Sequence, residues 1–308
     1  MERSYKLSKL VEELQADIVY RSKDFEDVQI LTGDVHRPGL QLAGFYEHFE
    51  PRRVQLIGRM EAAYMEKLSA EERFEKWEAL LKYKSPALIM CHGAEAKDDI
   101  IAVAKEHDVT ILRKNVHTTE IMWDVIRIVK RAVAPSVTLH GVLVEVYGIG
   151  LLLTGESGIG KSEAAIELLK RGHRLIADDA VEIKAIDKNV IEGTAPELIR
   201  HYVELRGIGV VDVSQIFGVG AIKSVQNIHL VVNIVPWEDG AVYDRLGLDE
   251  ETTNILGVDV ATVTIPVKPG RNLAVILEVA AMNQRQKLMG YNSALELSRQ
   301  INDSFEME

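Results

Sequence analysis

The stretch LLLTGESGIGKSEAAIELLKRG, residues 151–172, decides how the second half of the chain is read. It opens as a short apolar run, passes through a glycine-rich loop and continues with helical period. The loop fits G-x-x-x-x-G-K-[ST] through Gly155, Gly160, Lys161 and Ser162, with Gly158 between. Glycines there let successive backbone N–H groups converge on phosphate oxygens, where side chains would crowd the ligand. The expected phosphate cradle is Gly155, Glu156, Ser157, Gly158, Ile159, Gly160, Lys161 and Ser162. Lys161 reaches the β and γ phosphates and Ser162 ligates Mg²⁺. The helix that starts here adds its N-terminal dipole. Ala164, Ala165, Leu168 and Leu169 form its buried stripe, and Gly172 suits the position after its end. A strand before and a helix after lift the match above chance. The loop implies a bound polyphosphate and leaves the acceptor open.

Downstream, LIADDAVEI places two carboxylates, Asp178 and Asp179, after an apolar strand. Side chains alternate along a strand. The pair can serve a metal and a substrate together only if the strand ends or bends there. A plain strand-end turn is the bland alternative. In HYVELRGIGVVDV, Glu204 and Arg206 face the same way on an extended segment, and Gly207 and Gly209 follow at once. Arg245 lies in the polar loop VYDRLGLDEE; taken alone it reads as a solvated arginine, although transferring phosphoryl groups commonly need one. Lys268 and Arg271 flank Pro269-Gly270 in IPVKPGRN, a loop that closes over a substrate phosphate or is simply a basic turn. His140 precedes the strand pair leading into the phosphate loop; spacing does not choose between a place beside Lys161 and a core histidine.

Upstream of the loop, VTLHGVLVEVYG and IGLLLTG are apolar strands joined by the short turn YGIG. Such a connection forces antiparallel pairing. HRLIADDAVEIKAID, NVIEGTA and IHLVVNIVP are expected to follow the same manner, giving a sheet rich in antiparallel pairs. The first part of the chain alternates strand-like and helix-like segments: RRVQLIG (52–58), PALIMCHG (86–93) and VTILRKN (109–115) as strands, with one or two charged helices over 59–84 and another after residue 94. This rhythm predicts a small α/β domain with a parallel sheet. A helix over 118–135 ends at Pro135, so the domains are taken as 1–132 and 133–308. His36, His48, His92, His107 and His117 form no evident constellation. His92 and Gly93 end a strand, where a ligand-binding loop can sit, but a structural role is the default.

The totals set limits. At 308 residues, 47% hydrophobic and 27% charged, the chain has the composition of a two-domain globular protein. The net charge is −11, and most of the acid excess lies in the second part. An acidic domain without a Lys/Arg cluster argues against nucleic acid as a partner. No apolar run approaches the ~18 residues of a membrane span, so no membrane association is expected. The charged start gives no signal-peptide pattern. The single cysteine, Cys91, excludes an intrachain disulfide and reads as a buried thiol, which points to the cytoplasm.

LHGVLVEVYGIGLLLTGESGIGKSEAAIELLKRGHRLIADDAVEI, VELRGIGVVDV, YDRLG and PVKPGRN together resemble the bacterial HPr kinase/phosphorylase family. The resemblance covers essentially the whole chain and departs at none of these motifs; ELRGIGVVDV is its specific part. It implies a C-terminal P-loop kinase domain related to phosphoenolpyruvate carboxykinase, with a mixed or antiparallel sheet. It implies phosphorylation of a regulatory serine on the phosphocarrier protein HPr with ATP or pyrophosphate. It also implies phosphorolysis of that phosphoserine by inorganic phosphate, giving pyrophosphate. Mg²⁺ as cofactor, a homohexamer, fructose 1,6-bisphosphate as effector and a role in carbon catabolite repression come with it. The family's catalytic set falls on His140, Lys161, Asp179 and Arg245, and its metal ligands on Ser162 and Glu204, with Asp178 assisting. Asp179 takes the serine proton. Arg206 lies in the segment 203–212 that serves both reactions; Lys268 and Arg271 lie in the loop 266–271 that serves mainly dephosphorylation. A nucleotide-sensing regulator without transfer is the rival from another class, and a small-molecule kinase on the same fold is a third.

Overall fold

The computed structural model describes residues 3–238, 240, 250–268 and 270–306. They form two compact units, Met1–Ala134 and Pro135–Glu308.

The first unit is built on a five-stranded sheet. Its strands in chain order are β1 (Asp17–Tyr20), β2 (Val35–His36), β3 (Val54–Ile57), β4 (Leu88–Cys91) and β5 (Ile111–Lys114). In space they lie β1-β5-β4-β3-β2, parallel throughout except for β1 at the edge. Every residue of β3 and β4 is buried, as expected for parallel strands covered on both faces. One face carries α1 (Leu7–Leu14) and α5 (Thr118–Val133), whose Leu10, Ile121 and Val125 pack on Leu56 and Ile89. The other carries α2 (Arg59–Glu66), α3 (Ala70–Leu81) and α4 (Asp98–His107), whose Trp77, Leu80 and Val103 meet Ile57 and Met90. The charged stretch over 59–84 is two helices. Ser69 separates them: its hydroxyl accepts from the Glu72 N–H while the Glu72 carboxylate accepts from the Ser69 N–H. Cys91 is buried, and burial pushes its thiol up to about 12, so it is an inert core residue.

The second unit holds two larger sheets. The first contains β7 (Val142–Val146), β8 (Ile149–Gly155), β9 (Arg174–Ala177), β15 (Leu230–Pro236), β16 (Glu251–Ile255) and β17 (Val258–Val267), in the order β9-β7-β8-β15-β17-β16. The second contains β6 (Ser136–His140), β10 (Ala180–Asp187), β11 (Val190–Thr194) and β14 (Val225–Asn227), in the order β14-β11-β10-β6. β12 (Tyr202–Leu205) and β13 (Gly209–Asp212) form a separate hairpin. The YGIG turn closes an antiparallel pair, Val146 opposite Ile149.

Two expectations need correction. IHLVVNIVP does not follow the antiparallel manner: β15 runs parallel to both β8 and β17. The 74 residues between β8 and β15 allow that crossover, so turn length decides pairing only where the turn is short. The segments VTLHGVLVEVYG and HRLIADDAVEIKAID are each two strands, broken at Gly141 and at Asp178–Asp179, and each break passes the chain from one sheet to the other. At Gly141 a Cβ would sit 2.7 Å from the Leu153 carbonyl oxygen, so only glycine fits without a shift. The Gly141 N–H donates to the Asp179 carbonyl at 3.1 Å, tying the two breaks together. Apolar patterning shows that such segments are buried; it does not show which sheet takes them. Among the described residues no helix is long and apolar enough to cross a membrane.

Candidate active site

β8 delivers the phosphate loop. It ends at Gly155, the loop runs to Gly160, and α6 (Lys161–Lys170) follows, burying Ala164, Ala165, Leu168 and Leu169. Gly155 has φ 134° and a Cβ there would lie 2.3 Å from the Ile234 carbonyl oxygen of β15. Gly158 has φ 86° and a Cβ would meet the Arg206 guanidinium at 2.4 Å. Gly155 is required for close packing on the neighbouring strand, whereas at Gly158 the left-handed backbone is the reason, since the guanidinium can move aside.

Lys161 is 6% exposed and its Nζ donates to the carbonyls of Gly155 and Glu156, at 2.8 and 2.9 Å. The ammonium is thus held inside the loop by the loop itself. Ser162 Oγ donates to Asp178 Oδ1 at 2.8 Å, and the Glu204 N–H donates to Asp178 Oδ2 at 3.2 Å. Arg206 Nη2 donates to Ser157 Oγ at 3.1 Å. Asp179, in the left-handed region at φ 68°, turns its carboxylate out to solvent, where Oδ1 lies 3.1 Å from His140 Nδ1. The strand ends where the carboxylates stand, so they take opposite environments: Asp178 is 4% exposed and Asp179 is open. His140, Lys161, Ser162, Asp178, Asp179, Glu204 and Arg206 line one cleft of about 110 Å³.

Lys268 and Arg271 line a different cavity, about 740 Å³, that shares Gly160 and Glu163 with the cleft. Lys268 Nζ lies 4.3 Å over the Trp237 ring, and Arg271 donates to the Pro266 carbonyl. Arg245 falls outside the described residues. Glu163 was not singled out by sequence reasoning, yet it faces both cavities. Its signal is its place on the first turn of α6, directly after Ser162.

The donor set suits a hard divalent cation. Ser162, Asp178 and Glu204 offer oxygen only. Burial pushes the Asp178 carboxyl above its ordinary 3.8, against the hydrogen bonds from Ser162 and the Glu204 N–H that pull it down. A buried carboxylate in this state gains from a neighbouring cation. Its raised proton affinity also sets a sign for stability. The folded chain holds this proton more tightly than the unfolded chain, so the contribution is complete below pH 3.8 and falls as pH rises toward the raised folded value. In metal-free protein, Asp178→Asn is expected to remove that fall. The melting temperature of the wild type, relative to the variant, should drop from about pH 4 toward neutrality. A difference that stays constant across that range would show that the carboxylate is not paying a burial cost.

A glycine-rich cradle, a lysine within it, a hydroxyl and two carboxylates at one strand break define an enzyme that transfers phosphoryl groups. The chain belongs to the HPr serine kinase family. The family model for the HPr serine kinase N terminus matches residues 5–129, and that for the HPr serine kinase C-terminal domain matches residues 131–301. The HPr kinase/phosphorylase of Caldanaerobacter subterraneus subsp. tengcongensis is 48% identical over 292 residues, covering 95% of each chain. That of Alkaliphilus metalliredigens is 46% identical over 304 residues, covering 99% of this chain and 98% of its own. A solved structure of the Hpr(Ser) kinase/phosphatase from Coxiella burnetii is 34% identical and covers 52% of this chain and 98% of its own, with a TM-score of 0.48. The protein is a kinase and phosphorylase.

Proposed function

We propose that the chain phosphorylates a regulatory serine of HPr, with ATP or pyrophosphate as donor, and reverses the reaction by phosphorolysis with inorganic phosphate. The observation that carries this reading is Asp179, open to solvent at the mouth of the phosphate cradle and paired with His140 at 3.1 Å. In the forward direction Asp179 takes the proton of the attacking serine hydroxyl as its oxygen bonds to the donor's terminal phosphorus and the bond from that phosphorus to the bridging oxygen breaks, releasing ADP from ATP or phosphate from pyrophosphate. In reverse, the same carboxyl returns a proton to the leaving serine oxygen as phosphate attacks, giving pyrophosphate. His140 orients the carboxylate. Lys161 and the loop N–H groups hold the terminal phosphate, and Arg206 and Arg245 balance charge on its oxygens. Ser162, Glu204 and Asp178 would hold Mg²⁺, which neutralises the donor's phosphates when bound. Lys268 and Arg271 serve phosphorolysis from the adjoining cavity.

The same reading takes residues 133–308 as a P-loop kinase domain of the phosphoenolpyruvate-carboxykinase type and gives residues 1–132, an α/β domain, no catalytic part in it. It includes assembly as a homohexamer in the cytoplasm, activation by fructose 1,6-bisphosphate and control of carbon catabolite repression. The test is transfer of label from γ-labelled ATP to purified HPr, then its release as labelled pyrophosphate on adding inorganic phosphate. Labelled HPr that loses label only with phosphate supports both directions. Free phosphate alone, or no turnover, supports a nucleotide sensor, and a labelled metabolite supports a small-molecule kinase.

A further inference from the structure

The helix that follows Arg271 is held to the phosphate-loop helix by a carboxylate that the chemistry above does not use. That helix, α7 (Leu273–Leu288), begins two residues after Arg271, and Asn272 caps it by accepting from the Val275 N–H at 3.3 Å. It packs Ala274, Leu277 and Ala281 into the core that also holds Ala164, Ala165 and Leu168 of α6. Contacts made largely by alanines are shallow and non-directional. They bring two helices together without fixing how far one slides along the other.

Glu278 supplies the direction. Its Oε2 accepts from Arg171 Nη1 at 3.0 Å. Its Oε1 lies 3.0 Å from His173 Nε2 and accepts from the Tyr147 hydroxyl at 3.4 Å. Arg171 and His173 flank Gly172, whose φ of 90° closes α6: the Gly172 N–H donates to the Leu169 carbonyl and the His173 N–H to that of Leu168. Tyr147 stands in the turn between β7 and β8, the strand that delivers the phosphate loop. Its φ is 52°, a left-handed conformation that a bulky residue keeps only where its surroundings hold it. Its ring meets His173 edge-on, with 4.7 Å between centroids. The Glu278 and His173 side chains are 13% and 7% exposed, so this is not a solvated surface pair. The hydrogen bond from His173, then the Arg171 charge, hold the Glu278 carboxyl below its ordinary 4.5 against the effect of burial. Arg171 also reaches Glu167 at 3.1 Å, and Glu167 lines the 740 Å³ cavity with Lys268 and Arg271.

We propose that Glu278 is a positioning residue for phosphorolysis: it fixes α7, and with it Arg271, against the phosphate loop. This rests on the assignment of Lys268 and Arg271 to that reaction. Inorganic phosphate has no nucleoside to anchor it, and it must be brought in line against a phosphoserine that repels it. Its placement therefore depends on cations held in register. ATP is anchored along its length, so the forward reaction tolerates a looser α7.

The test compares both reactions of the full chain, phosphorolysis of phosphorylated HPr with inorganic phosphate and phosphorylation of HPr with ATP. In Glu278→Ala, kcat/KM for phosphate is expected to fall at least tenfold, chiefly through KM, while kcat/KM for ATP changes less than threefold. Glu278→Gln, which keeps the shape, should fall less, and it carries the test if circular dichroism shows that the alanine variant does not fold. Arg271→Ala should lower phosphorolysis as well, and the double variant should lose little more than the larger single loss, since both act through one cation. Equal falls in the two reactions, or additive losses in the double variant, would make Glu278 a general structural support and overturn the proposal. Undiminished phosphorolysis in Glu278→Ala beside a fall in Arg271→Ala would overturn it while leaving the loop's assignment standing. Undiminished phosphorolysis in Arg271→Ala and Lys268→Ala would remove that assignment and this inference with it.

Discussion

Lys161→Ala is expected to abolish both phosphorylation and phosphorolysis, with a fall of ~10³-fold or more in turnover, the scale on which one preorganised donor to a developing charge acts. The reason is the position of the ammonium. Lys161 is buried and already bonded to two loop carbonyls, so it does not have to be recruited from solvent. When a donor occupies the cradle, those bonds are exchanged for bonds to its phosphate oxygens. Removing the side chain takes away that charge and leaves the Gly155 and Glu156 carbonyls facing the phosphate. Both directions share the terminal phosphate, so both fall together. Steady-state rates with HPr and with phosphorylated HPr measure this, and a variant retaining a tenth of either rate would show that the phosphate lies elsewhere.

Asp179→Asn is expected to slow serine phosphorylation by ~10²- to 10⁴-fold, the range of general-base catalysis, while nucleotide affinity stays within a few-fold. Among the described residues no hydrogen bond or ion pair joins the Asp179 side chain to Lys161 or Ser162; its carboxylate pairs with His140 at 3.1 Å. An amide in its place keeps the shape and cannot take the proton. The split between turnover and binding distinguishes this role from that of Asp178, whose loss would disturb Ser162 and the Glu204 N–H and so weaken metal and nucleotide together. Transfer at the wild-type rate in Asp179→Asn would remove it as the base.

Much of this site is legible in the residue order because its parts are local. The loop, Lys161 and Ser162 follow from one motif and one strand-loop-helix pattern. Glu204 lies in β12 and Arg206 directly after it, and both line the cleft. His140 was undecidable by spacing: its nearness to Asp179 comes from the pairing of β6 with β10, 40 residues apart, in which His140 stands opposite Ala180. The two aspartates part company for a similar reason. A strand break with positive φ at Asp179 sends one carboxylate inward and the other outward, and periodicity carries no record of that turn. His92 and His117 were scattered on the page because what unites them is adjacency of β4 with the start of α5.

The two places where the backbone passes between sheets, at Gly141 and at Asp178–Asp179, have a mechanical meaning. Asp179, its partner His140 and the buried Asp178 all stand on this suture, so their alignment is set by the registry of one sheet against the other. The suture rests on a bed of Leu143, Leu152, Ile176, Val181 and Ile183 shared by both sheets. Resizing one of these side chains, as in Ile183→Val, is expected to lower turnover more than melting temperature, and a variant with full turnover would show that the registry tolerates the change. The enzyme's working tolerance is therefore written in aliphatic residues that never meet a phosphate.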